Sequence, residues 1–429
     1  MADADALDVL AFIAASPSPY HAAEEAARRL TAAGFRRIEE VAAWRSTPGG
    51  HVVVRGGTLV AWAPGEMASP QEGFRIIGAH TDSPNLRIKP RPDTGSAGWR
   101  QLGVEVYGGA LRNSWLDRDL GLSGRVAVRT GDATAETRLF RCDDPLLRVP
   151  QLAIHLDRRV DDGLVLDPQA HLVPVWGLGP VDIGGFARFL AGQVDTSPAD
   201  VLGWDAMVHD LTPGRVIGRD EELLSVARLD NLVSCWAAVQ ALIEAADAGA
   251  AGAGPTPVIC LFDHEEIGSE SATGAGSHVL PTLLERIAAT LDGGREDFHR
   301  GLAASVCVSA DGAHATHPNY PDRHERDHHV VVNAGPVIKH NANVRYATEA
   351  ATAAVFRLAC ERAGVPLQDF VMRSDLPCGS TIGPITAARL GIPTVDVGVA
   401  QLSMHSAREL CGATDPGLFA RALTAFLTA

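Results

Sequence analysis

The sequence predicts an α/β fold, a mainly parallel sheet covered by helices, with an antiparallel β domain inserted into it. Two observations carry this. In the first and last parts of the chain, strand-length apolar runs alternate with helical patterns: Phe74–Ala79, Val258–Phe262, Ala304–Ala310 and Pro393–Val399. From about Arg91 to Leu223 the texture changes to short alternating stretches such as Gly103–Tyr107, Gly124–Val128 and Thr137–Phe140, separated by Gly, Pro and Asp. The expected organisation is therefore an α/β domain in two parts, 1–90 and 224–429, flanking a β-rich insertion at 91–223. A chain of 429 residues, 46% hydrophobic, has enough apolar material for two or three domains.

Taken in order, the apolar stretch Val9–Ala15 follows Asp3, Asp5 and Asp8, where a secretory signal needs positive charge, so an amphipathic first helix is expected. Ser18 and Pro19 suit the cap and first turn of a second helix ending near Gly34. Strands then lead to His80. After Asp230, Leu232, Trp236, Val239 and Ile243 recur at helical spacing. The Ala/Gly/Pro stretch Ala245–Pro257 reads as a surface loop, and Gly379-Ser380-Thr381 precedes a helix, Ile382–Leu390. No apolar run approaches the length of a membrane span.

Thirty-seven basic against fifty-two acidic residues give a formal charge of −15, which disfavours nucleic acid or an anionic membrane as partner. The seven cysteines are scattered without a Cys-x-x-Cys pair, the pattern of a reduced, cytoplasmic protein rather than a disulfide framework.

The chemistry concentrates where apolar runs end. Phe74–Ala79 leads into His80-Thr81-Asp82, Ser225–Leu229 into Asp230, Val258–Phe262 into Asp263-His264-Glu265-Glu266, Ala304–Ala310 into Asp311, and Pro393–Val399 towards His405. In an open α/β sheet ligands sit outside the carboxyl ends of strands, so side chains distant in sequence converge there. Paired glutamates are ordinarily solvated surface residues, and one His or Asp in such a place is ordinarily structural. Five in parallel contexts favour a site. The donors His80, Asp230, Glu266, Asp311 and His405 are imidazoles and carboxylates, which suit zinc and also manganese or cobalt. They are too many for one open zinc and enough for two, with Asp230 as bridging candidate. Glu265, next to Glu266 but pointing elsewhere, is then free to take a proton. Asp82 is placed to accept the second ring proton of His80; a plain turn residue before Ser83-Pro84 reads the same way.

Gly78–Pro84, Arg228–Asn231, Asp263–Ser269, Asp311 with His314 and His317–Tyr320, and Met404–Glu409 together resemble the aspartyl aminopeptidase family of dinuclear zinc metallopeptidases. The likeness runs through almost the whole chain, including Ser18–His21 and Gly379–Pro384. The resemblance implies a zinc-peptidase-like catalytic domain in which His80, Asp230 and Asp311 hold one zinc and Asp230, Glu266 and His405 a second, with Glu265 as general base. It further implies a tetrahedral dodecamer built through the inserted β domain, and a histidine, His155, reaching into a neighbouring subunit's active site. Without the resemblance, His155 reads as a core or hairpin residue.

The expected activity is removal of Asp or Glu from peptide N-termini. Lys339, by default a surface lysine, is the candidate cation facing the acidic side chain. His314 is a candidate for touching substrate, as are Gly379 and Ser380, although a plain helix cap would look the same. A dinuclear hydrolase acting on another bond, such as a deacylase or carboxypeptidase, and a noncatalytic binding protein on the same fold remain as alternatives.

Overall fold

The computed structural model describes residues 4–45, 49–249, 252 and 254–429. Asp3 and part of the Ala245–Pro257 stretch lie outside them. Among the described residues the strands form three sheets. The largest has nine, in the order Arg36–Arg37, His51–Arg55, Thr58–Trp62, Thr256–Phe262, Phe74–His80, Val306–Ala310, Thr394–Gly398, Val337–His340 and Gln368–Val371. The four middle strands, from Thr256–Phe262 to Thr394–Gly398, are parallel. Buried on both faces, they read as unbroken apolar runs.

Helices cover both faces. On one lie Ala4–Ala15, Pro19–Ala32, Leu229–Gly249, Ala350–Ala363 and Asp415–Leu427, whose apolar sides build one core with Phe12, Trp236, Phe356, Phe419 and Phe426 at its centre. A second core, on Val279–Thr290 and neighbouring elements, covers the other face. Ser18 caps the second helix by accepting from the His21 N–H, with Pro19 in the first turn. The helix after Asp230 runs on to Gly249, so the surface loop expected from Ala245 begins later. The alanines of that stretch favour helix enough to carry it through.

The second sheet is wholly antiparallel, in the order Thr134–Leu147, Leu120–Gly131, Val201–Asp210, Asn85–Ser96, Trp99–Tyr107 and Val175–Leu178. It has its own core, capped by Phe186 and Leu190 of the helix Gly185–Gln193. The short alternating stretches of the sequence all lie here, each with one face turned to that core.

A third, five-stranded sheet was not anticipated: Arg215–Ile217, Leu223–Val226, Glu409–Gly412, Ala400–Leu402 and Ala313–His314. It sits at the carboxyl end of the large sheet, because Ala313–His314 and Ala400–Leu402 follow directly on the central strands Val306–Ala310 and Thr394–Gly398. Packing at this junction is tight. A Cβ on Gly398 would stand 1.8 Å from the carbonyl oxygen of Asp311, so only glycine lets the two chains pass. No described helix is long and apolar enough to cross a membrane.

Candidate functional site

Six side chains from distant parts of the chain meet at the carboxyl end of the parallel strands. His80 ends one strand, Asp311 follows the next, and Glu265 and Glu266 sit on a short 3-10 turn, Glu265–Ile267, after a third. Asp230 and His405 arrive differently. Rather than ending central strands, they stand at the borders of the third sheet, Asp230 after Leu223–Val226 and His405 before Glu409–Gly412, which pair antiparallel. An apolar run carries no mark of which sheet it will join, and this part of the sequence reading needed correction.

The geometry is that of two donor groups sharing a member. His80 Nε2 is 3.3 Å from Asp230 Oδ1 and 3.4 Å from Asp311 Oδ1. His405 Nε2 is 3.6 Å from Asp230 Oδ2 and 3.4 Å from Glu266 Oε2. Donors about 2.0–2.1 Å from a common tetrahedral centre stand roughly 3.3–3.4 Å apart, so each group has the spacing of a zinc shell. Asp230 offers one oxygen to each group. Asp230 Oδ1 and Glu266 Oε1 are buried without a hydrogen-bond partner, as expected of atoms whose partner is a cation. The donor set and its spacing fit a pair of divalent ions.

Electrostatics say the same. Burial, reinforced by Asp311, Asp230 and Asp82, pushes Glu265 up to about 8, and burial beside Asp230 raises Glu266 well above its ordinary value. Burial works against charge on His80, yet Glu265, Asp230, Asp311 and Asp82 outweigh it and hold the imidazole well above its ordinary range. Burial would also raise Asp311, but Lys339 and His80 keep it below the usual carboxylate range. So dense a cluster of acids is stable only around positive charge.

The adjacent glutamates diverge. Glu265 Oε2 lies 3.9 Å from His80 Nε2 and Glu266 Oε2 near His405, and neither side chain is a solvated surface group. The backbone is bent to achieve this, with Arg228, His264, Ser403 and His405 all in the left-handed region at φ 58°, 67°, 60° and 66°. Such conformations of non-glycine residues cluster at sites where surrounding structure enforces them.

Asp82 is fully buried and does more than orient a ring. The nearer acceptor for His80 Nδ1 is its backbone carbonyl, at 3.0 Å, with the carboxylate at 3.5 Å. The carboxylate itself accepts the backbone N–H groups of Glu265 and Glu266, at 3.0 and 3.1 Å, and the Tyr107 hydroxyl at 2.7 Å.

His80, Asp230, Glu265, Glu266, Asp311 and His405 line a cleft of about 460 Å³ together with His314, Lys339, Tyr346, Gly379 and Ser380. Lys339 is no surface lysine. It is 2% exposed, donates to the Gly312 carbonyl at 3.0 Å, and lies 3.8 Å from Asp311 and 5.1 Å from the centre of the Tyr346 ring. Gly379 and Ser380 line the cleft while Thr381 caps the following helix by accepting from the Gly383 N–H. His155 is not in this cleft, nor in a core or hairpin. It is exposed on a turn between the strands Thr134–Leu147 and Val175–Leu178.

Sequence reasoning missed the contribution of the six-stranded sheet. Besides Tyr107, Gly108 and Gly109 press on the centre. A Cβ on Gly108 would be 3.0 Å from that of Glu266, and the Gly109 carbonyl lies 3.1 Å from His405 Nδ1. The Gly-Gly pair marked a turn in the sequence, but nothing marked what the turn approaches.

Residues 12–427 match the model of the aminopeptidase I zinc metalloprotease family, M18. The chain belongs to the M18 aminopeptidase family. A probable M18 family aminopeptidase 2 of Streptomyces avermitilis is 56% identical over 424 residues, covering 98% of this chain and 96% of that protein. Among solved structures, a chain of the Ape4 and Nbr1 complex superposes with a TM-score of 0.95 at 38% identity, covering 99% of this chain and 85% of its own. The mApe1 dodecamer of S. cerevesiae superposes at 0.86 with 28% identity, covering 98% and 95%. This M18 aminopeptidase is thus a zinc metalloaminopeptidase.

Asp82→Asn should lower kcat/KM on a peptide substrate by about ten- to a hundred-fold, the usual cost of disturbing a partner behind metal ligands. Tyr107→Phe, which leaves both backbone bonds to Asp82 in place, should cost less. Turnover of the Asp82→Asn protein equal to wild type would remove Asp82 from the site's architecture.

Proposed function

We propose that this M18 aminopeptidase releases acidic residues, Asp or Glu, from peptide N-termini, using two zinc ions per subunit or, in their place, manganese or cobalt. His80, Asp230 and Asp311 would hold one ion and Asp230, Glu266 and His405 the other. The observation that supports acidic specificity is the buried Lys339 ammonium on the wall of the same cleft. A buried charge needs a partner, and its neighbour Asp311, 3.8 Å away, is shared with His80, to which it turns its other oxygen. Lys339 therefore keeps charge for a substrate carboxylate, and a desolvated ion pair discriminates against uncharged side chains far better than shape does.

Held by these residues, two zinc ions would supply Lewis-acid polarisation of a scissile carbonyl and a water whose pKa is lowered towards about 7. Glu265, on the cleft and outside both donor groups that share Asp230, accepts the water's proton and passes it to the leaving amine. Asp82 fixes the His80 ring and the Glu265–Glu266 turn from behind, and so acts on the reaction without touching substrate. His314, Gly379 and Ser380 line the wall against which the substrate lies.

The working form we propose is a cytoplasmic homo-oligomer, a dodecamer like that of the S. cerevesiae relative, with 91–223 as the domain that builds subunit contacts. The exposed turn of His155 supports this, since Leu152, Ile154, Leu156 and Val165 beside it are 49–82% exposed. Apolar groups so arranged on a loop suit burial against another copy of the chain. His155 would there reach a neighbour's cleft and steady the carbonyl oxygen as charge develops.

Glu266→Ala should lose metal and activity together, whereas Glu265→Gln should keep both ions and lose turnover by about a hundred- to ten-thousand-fold. Metal analysis and turnover on the same samples decide between the two roles, and metal loss in Glu265→Gln refutes the assignment. Lys339→Leu should cut activity on Asp and Glu substrates and shrink their advantage over Ala or Leu; an equal fall on all substrates points instead to damaged folding. His155→Ala should lower turnover with metal content and oligomer intact by light scattering, and unchanged activity in an intact oligomer removes the shared-site role.

A further inference from the structure

Glu409 stands behind the second donor group as Asp82 stands behind the first. It is 2% exposed, at the start of the strand Glu409–Gly412, in register with Val226 of the strand that leads to Asp230. Its two carboxylate oxygens are divided between two segments. Oε2 accepts the backbone N–H of Asp230 at 2.9 Å, and Oε1 that of His405 at 2.7 Å.

Neither N–H has a place in regular structure. Asp230, at φ −79° and ψ 104°, is not helical although it lies at the head of a helix, and His405 is in the left-handed region at φ 66°. Without Glu409 the buried N–H of Asp230 and the half-buried N–H of His405 would both lose their partner, or the two segments would move to find others. Movement is the important alternative, because Asp230 and His405 carry two of the three donors of their group.

We infer that Glu409 is a positioning residue for the metal centre, a single rigid carboxylate that sets the separation of Asp230 and His405 by holding both backbones at once. This rests on the reading of those two residues as ligands of a second ion. It explains what the small third sheet contributes: pairing Leu223–Val226 with Glu409–Gly412 brings the carboxylate and both of its clients into register. Backbone clamping of this kind is specific. A hydrogen bond to the far nitrogen of a ligand ring orients that ring alone, whereas Glu409 fixes where two different chain segments begin.

The test is metal affinity in Glu409→Gln, whose amide can accept from one N–H but presents its own donor to the other. Zinc content is followed by elemental analysis through a graded chelator series, and coordination by the visible spectrum of the cobalt-loaded protein. The ion of Asp230, Glu266 and His405 should lose about ten- to a hundred-fold in affinity, with an altered cobalt spectrum. The ion of His80 and Asp311, which Glu409 reaches only through Asp230, should lose less. Glu409→Asp, which keeps the charge but withdraws it by one methylene, should fall between and guards against a Gln variant that fails to fold. Asp415→Asn is the matched control. That buried carboxylate also accepts two backbone N–H groups, from Asn333 and Gly335, but touches no candidate ligand.

Unchanged affinities and spectrum in a folded Glu409→Gln protein overturn the inference, as does an equal metal loss in Asp415→Asn. A wild-type protein that binds only one ion overturns the two-ion reading instead. In that case Glu409 is judged by whether its Gln variant weakens the single ion.

Discussion

The site depends on one buried carboxylate. Asp82 ties together three pieces of chain that strand pairing has already brought close: the end of a central strand at His80, the turn of Glu265 and Glu266 beyond the neighbouring strand, and Tyr107 from the six-stranded sheet. Hydrogen bonds to an ionised acceptor contribute about 1.5–3 kcal/mol each, and here they also offset the cost of placing the charge out of water. Two of the three are backbone bonds, so what Asp82 fixes is the path of the chain. The divergent aim of the adjacent glutamates follows from that path.

The same crowding of acids makes the centre costly to fold and useful once folded. Asp82, Asp230, Glu265, Glu266 and Asp311 crowd around His80, His405 and Lys339, five acids against three basic side chains. A cluster so negative is held in shape by its scaffold rather than by mutual attraction. That accounts for the strained residues around it: Arg228, His264 and His405 are kept left-handed by neighbours that leave them no alternative.

The parallel part of the fold was legible because strands buried on both faces write themselves as apolar runs, and His80, Asp311 and Glu266 were legible because each follows such a run. The antiparallel sheet announced itself by alternation. What the sequence hid was assignment between sheets. Ser225–Leu229 looked like another central strand, yet only Ser225 and Val226 are in a strand and that strand belongs to the third sheet, since pairing partners are set by tertiary packing and not by composition. The alanine-rich end of the helix Leu229–Gly249 hid for a related reason: small residues suit both a loop and a helix, and packing against Asp415–Leu427 decided the matter. Lys339 carried no mark of burial at all. Its surroundings come from Gly312, remote in sequence, and from Tyr346, in the loop that follows its own strand.

That the centre is closed by the third sheet has a consequence in time. His80 and Asp82 are synthesised early, while His405 and the strand Glu409–Gly412 come close to the end of the chain. The strand Leu223–Val226 has to wait for that late partner before Asp230 and His405 can stand side by side. A growing polypeptide can therefore fold much of its parallel sheet without ever assembling a competent peptidase. A chain that stops short of Glu409 lacks the pairing that sets Asp230 beside His405 and, on the proposed reading of these residues, is inert.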